Sequence, residues 1–147
     1  MEGKMQSNVP KTGLVVQNAN NSEEKRRQRR ATWRPPSKGW TKLNIDVAFS
    51  FASGSYATAA IFKDSDGRLL TASNSTGKCI SPLTAEALAM QEALITAQNL
   101  DMEKVIVESD CSILVQAIKS KSTISEIDAI LEDIHCVLRK IPDCGVV

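Results

Sequence analysis

At 147 residues and 42% hydrophobic content, the chain is long enough to form one domain with a real core. Its formal charge of +1 hides an asymmetry: residues 1–40 carry nine Lys and Arg against three acids, a balance of +6, which leaves −5 for the remainder. No apolar run in the first 22 residues exceeds Leu14-Val15-Val16, which excludes a secretory signal and a membrane span, so a soluble, intracellular protein is expected.

The polar amino-terminal stretch reads as a basic, disordered tail over residues 1–39, ahead of a domain over 40–147. Within it, Lys25, Arg26, Arg27, Arg29 and Arg30 form a block of like charge that repels itself and stays solvated. Such a block suits phosphate contacts or a nuclear import receptor, and equally suits a solubilising linker; both readings stay open.

Order begins near Trp40. From Lys42 the residues alternate, with Leu43, Ile45, Val47 and Phe49 on one face and Asn44, Asp46 and Ala48 on the other, the period of a strand. Asp46 therefore points away from the apolar face. A second strand over Tyr56 to Lys63 leads through Asp64-Ser65-Asp66-Gly67, a turn sequence favouring positive φ, into a third over Arg68 to Ser73. Ser81 before Pro82 predicts a helix start, the hydroxyl capping free N–H groups and the proline occupying a position that needs no donor. The helix reaches Asn99 with a stripe of Leu83, Ala87, Met90, Leu94 and Ala97, and Glu86 lies at the edge of that stripe near the amino end.

Lys104 to Glu108 is a short β-branched strand, followed by Ser109-Asp110 and an amphipathic stretch containing Ile113, Leu114, Ala117 and Ile118. Asp110 sits at the carboxyl end of that strand, where open α/β sheets place ligands, although taken singly it is more simply a helix cap. A last helix from Ser125 to Ile141 buries Ile127, Ile130, Leu131, Ile134, Leu138 and Ile141, and Cys144 to Val147 opens another strand. The four cysteines form no Cys-x-x-Cys pair, and with His135 alone they offer no zinc pattern; reduced, mostly buried thiols are expected.

Asp46, Glu86 and Asp110 stand 40 and 24 positions apart. Carboxylates brought to one point repel unless a cation binds them, so a divalent-metal site is the natural expectation if the fold gathers them.

The wording of the chain resembles the ribonuclease H-like domains of plant genomes, type 1 proteins related to the ribonuclease H module of non-LTR retrotransposon reverse transcriptases. The resemblance rests on Trp33-Arg34-Pro35-Pro36, Gly39-Trp40-Thr41-Lys42-Leu43-Asn44-Ile45-Asp46, Phe62-Lys63-Asp64-Ser65-Asp66-Gly67, Ser81-Pro82-Leu83-Thr84-Ala85-Glu86-Ala87 and Val107-Glu108-Ser109-Asp110-Cys111. It implies an α/β fold: a ribonuclease H-like mixed five-stranded sheet, three antiparallel strands and then parallel ones, flanked by helices. It also implies Mg2+-dependent cleavage of the RNA strand of RNA/DNA hybrids by two ions about 3.5–4 Å apart, held by Asp46, Glu86 and Asp110. The hybrid, or RNA, would be recognised by shape, 2′-hydroxyls and phosphates.

Members of that family continue into a terminal helix with a fourth ligand. The expectation is a domain incomplete at its carboxyl end, with the second ion weakly held, catalysis weakened, and an uncovered sheet edge available to a protein partner. A non-catalytic nucleic-acid-binding or interaction domain is the alternative.

Overall fold

In the computed structural model, residues 35–147 are described; the basic block at Lys25, Arg26, Arg27, Arg29 and Arg30 lies outside them. The elements in chain order are β1 (Thr41–Phe49), β2 (Ser55–Lys63), β3 (Leu69–Lys78), α1 (Pro82–Asn99), β4 (Lys104–Glu108), α2 (Ser112–Ser120), a 3-10 turn (Ser125–Ile127), α3 (Asp128–Lys140) and β5 (Asp143–Val146). The strands form one sheet in the order β3-β2-β1-β4-β5. β1 pairs antiparallel with β2 and β2 with β3, whereas β1 with β4 and β4 with β5 run parallel. This is the expected mixed five-stranded sheet.

β1 obeys its alternation: Leu43, Ile45 and Phe49 are buried, Asn44 is half-buried and Asp46 is exposed. The β2–β3 turn is closed by the Asp64 carboxylate, which accepts hydrogen bonds from the backbone N–H of Asp66 and of Arg68, both at 2.9 Å, while Gly67 takes up φ +78°. β3 runs five residues past its expected end at Ser73, because the hairpin ladder continues to the pair Ser55–Lys78. Its Ser-Asn-Ser-Thr-Gly stretch has no apolar alternation to announce a strand; pairing along β2 supplies the order instead. The buried Thr58 hydroxyl of β2 is satisfied by Ser75 of β3 at 2.9 Å, and Ser75 in turn donates to Glu92 of α1.

α1 starts as the sequence predicts. Ser81 has extended backbone, its hydroxyl accepts from the Thr84 N–H at 3.1 Å, and Pro82 opens the first turn. Ser81 and Thr84 also donate to the Glu126 carboxylate, which ties this helix end to the 3-10 turn. The buried surface is wider than the expected stripe, since Ala85, Ala89 and Ala93 join Ala87, Met90, Leu94 and Ala97. The cause is that α1 packs on the sheet with one side and on α3 with another, and small side chains allow both approaches.

The last helix differs from expectation at its start: Ser125–Ile127 is a 3-10 turn and α3 begins at Asp128. Leu131, Ile134 and Val137 form its buried face, with Ile130 and Leu138 only half-buried. Asp128 in the first turn and Arg139 and Lys140 in the last follow the helix dipole. The cysteines are less buried than expected; Cys79, Cys111 and Cys144 are half-buried, Cys136 is exposed, and all four are free thiols. Among the described residues no helix is long and apolar enough to cross a membrane.

Two outcomes follow from this packing. A Cβ added at Gly77 would stand 2.6 Å from the Tyr56 hydroxyl and 2.7 Å from its ring, the far end of a half-exposed side chain that can swing aside, so Gly77→Ala should lower stability by no more than about 1 kcal/mol. Chemical denaturation should show the cost shrinking in a Tyr56→Ala background. Burial raises the Cys144 thiol to about 11, so its thiolate forms only well above neutral pH. Alkylation of the native chain at pH 8, followed by peptide mass mapping, should label exposed Cys136 well ahead of Cys144.

Candidate metal centre

β1 and β4 run parallel with Thr41 opposite Val105 and Asn44 opposite Glu108. Two residues further along each chain stand Asp46 and Asp110, so the strand register carries both acids to the same end of the sheet. Asp46 is exposed on β1, on the side away from Leu43 and Ile45. Asp110 is exposed in the turn that leaves β4. That turn is held by Ser109, whose N–H donates to the Val147 carbonyl at 3.0 Å and whose hydroxyl accepts from the Cys111 N–H at 3.1 Å.

The cap reading of Asp110 is corrected here. The residue at the cap position of α2 is Cys111, with no side-chain cap hydrogen bond. The Ser109 hydroxyl, accepting from the Cys111 N–H, turns the chain so that the helix itself begins at Ser112.

Glu86 comes from the second turn of α1, half-buried between the buried Ala85 and Ala87. Its charge reaches the neighbourhood of Asp110 through one witness, the Cys111 thiol. That thiol is raised first by burial, then by Glu86, and least by Asp110, while the N–H groups of Leu114 and Ile113 pull the other way. Glu86 and Asp110 thus act on a single side chain at the start of α2.

All three groups offer hard oxygen donors on three separate elements, the donor chemistry that suits Mg2+. In donor chemistry they fit the ion. Among the described residues, however, no group of three or more His, Cys, Asp or Glu side chains is gathered closely enough to hold a metal.

The same face of β1 carries a cluster that reading the sequence missed. Glu108 accepts a hydrogen bond from the Asn44 amide and lies 3.7 Å from the Lys42 ammonium. The only signal in the chain was position: Lys42 and Asn44 alternate with the core residues in step with Asp46. His135 is half-buried and lines a groove of about 610 Å³ with Lys119, Lys121, Arg139 and Cys144, at the end of α2 remote from Asp110. The basic residues there sit at helix carboxyl ends, where the dipole favours them.

No curated protein matches the sequence significantly. Among solved structures, the fold is similar to that of RNase H1 from the halophilic archaeon Halobacterium salinarum, with 15% identity over 74% of this chain and 83% of that one, at a TM-score of 0.67. The N-terminal RNase H domain of a Mycobacterium tuberculosis protein gives 14% identity, 74% and 81% coverage and a TM-score of 0.66. LC11-RNase H1 solved in complex with an RNA/DNA hybrid gives 19%, 73% and 83%, and 0.65. At these identities the likeness establishes the ribonuclease H fold. A profile of the reverse transcriptase-like family matches residues 44–147, more than two thirds of the sequence, and the chain belongs to that family.

Proposed function

We propose that this chain binds nucleic acid and acts as a ribonuclease of the H type, hydrolysing the RNA strand of RNA/DNA hybrids with Mg2+. The observation that supports this most is the placement of Asp46 and Asp110 at one end of the sheet by the β1–β4 register, with the Glu86 charge felt beside Asp110. The fold is one that a related structure shows holding an RNA/DNA hybrid.

In this reading Asp46, Glu86 and Asp110 hold the ions. When bound, Mg2+ supplies a nucleophile at neutral pH and stabilises charge on the leaving oxygen. The chain's own part is to position three carboxylates on rigid elements and to present an open surface beside them. Asp46 and Asp110 are exposed, which suits the approach of a duplex to their end of the sheet. Binding would rest on phosphates and 2′-hydroxyls. The block Lys25, Arg26, Arg27, Arg29 and Arg30 would add sequence-independent attraction to phosphates.

One observation favours a second reading, a non-catalytic nucleic-acid-binding domain descended from a retrotransposon-type module. It is that the acids share a neighbourhood without forming a closed ligand shell among the described residues.

Incubation with an end-labelled RNA/DNA hybrid and Mg2+ distinguishes the two. The nuclease reading expects nicks in the RNA strand that vanish with chelator and fall by about 100-fold or more in Asp46→Asn, since even groups behind metal ligands are worth about 10–100-fold. A hybrid retained by the protein yet left intact by the wild type supports the binding-only reading. Retention measured against salt tests the basic block: log affinity should fall by about 0.9 per phosphate contact per decade of salt, and neutralising the five residues should flatten that slope.

A further inference from the structure

Glu108 is engaged through both of its oxygens by a single strand. The Asn44 amide donates to Oε1, and the Lys42 ammonium lies 3.7 Å from Oε2, with the Lys42 and Glu108 side chains only 12% and 26% exposed. Lys42, Asn44 and Asp46 occupy alternate positions on β1 and share its face, and Glu108 is the register partner of Asn44 on β4. The cluster therefore bridges the two strands one pleat, about 6–7 Å, before Asp46 on β1, and two residues before Asp110 in the bend that follows β4. β4 ends at Glu108, and only Ser109 separates it from Asp110.

We propose that Glu108, clamped to β1 by Asn44 and Lys42, is a positioning residue for the Asp46–Asp110 pair, fixing the ends of β1 and β4 so that both carboxylates address one ion. The inference rests on the ribonuclease reading. Three features carry it. The clamp lies on the same face as Asp46. It spans the junction between the strand that bears one acid and the strand whose exit bears the other. Finally, Lys42 offsets the Glu108 charge, so that this fourth carboxylate is occupied at its own site. A clamp of this sort acts as the supporting shell of a metal site does, by fixing ligand orientation.

Titration of the full 147-residue chain with Mn2+, followed calorimetrically alongside thermal melts, tests it. Asp46→Asn serves as the reference that removes the site. Glu108→Ala should weaken Mn2+ binding by about 10–100-fold, and Glu108→Gln, whose amide oxygen can still accept from Asn44, should recover binding to within about threefold of wild type. A merely structural role would lower the melting temperature of Glu108→Ala and leave Mn2+ affinity in place. Binding by Glu108→Ala within about twofold of wild type, at a site still abolished by Asp46→Asn, overturns the positioning role and leaves the metal reading intact. Should the alanine variant fail to fold, Asn44→Ala opens the clamp from the β1 side and is held to the same thresholds. Wild-type protein with no Asp46-dependent Mn2+ binding would sink the metal reading, and this inference with it.

Discussion

The parallel pairing of β1 with β4 is the constraint on which the rest depends. It joins residues 64 positions apart, Asn44 and Glu108, with α1 and the antiparallel hairpins lying between them in the chain. Parallel strands cannot be closed by a tight turn, so their pairing requires a crossover, and here the crossover includes α1. The helix that makes the crossover possible also covers the sheet, burying Leu43, Ile45, Ala60 and Phe62 against Met90, Leu94 and Ala97. One packing decision thus sets the core and carries Asp46 and the turn bearing Asp110 toward one end of the sheet.

The two sides of β1 divide the work. On the core side, apolar residues fix the sheet against α1, and α3 in turn packs on α1. On the other side stand Lys42, Asn44 and Asp46, the first two joined across the strand boundary to Glu108. Placing polar chemistry on one face and packing on the other lets a strand carry an exposed carboxylate at no cost to the core, since successive side chains never compete for the same side. Glu86 is the exception. It sits on the helix layer, flanked by buried alanines, and its charge is expressed through the raised Cys111 thiol.

The two helix starts bordering the site are built differently. At α1 the Ser81 hydroxyl satisfies a backbone donor and Pro82 removes the need for another, so that end is defined locally. At α2 the chain is turned by Ser109, through hydrogen bonds to Cys111 and to the Val147 carbonyl of the strand beyond β4. The placement of Asp110 therefore depends on β5 as well as β4, which couples the candidate centre to the far side of the sheet.

What the sequence determined by itself was whatever is written in local backbone preference and periodicity. The alternation from Leu43 to Phe49, the Asp64 to Gly67 turn, the Ser81-Pro82 start and the β-branched run at β4 all act within a few residues, and all four were legible. The three acids were legible as candidates, Asp46 and Asp110 at positions their elements expose and Glu86 at the edge of a helix stripe, where it is half-buried. Tertiary structure alone decided the rest. The length of β3 came from its ladder with β2, the broad burial of α1 from having two partners, the cap at Cys111 from the Ser109 turn, and the Lys42–Asn44–Glu108 bridge from register. Such features depend on which segments lie side by side, and separation along the chain carries no distance in space until the crossover has closed.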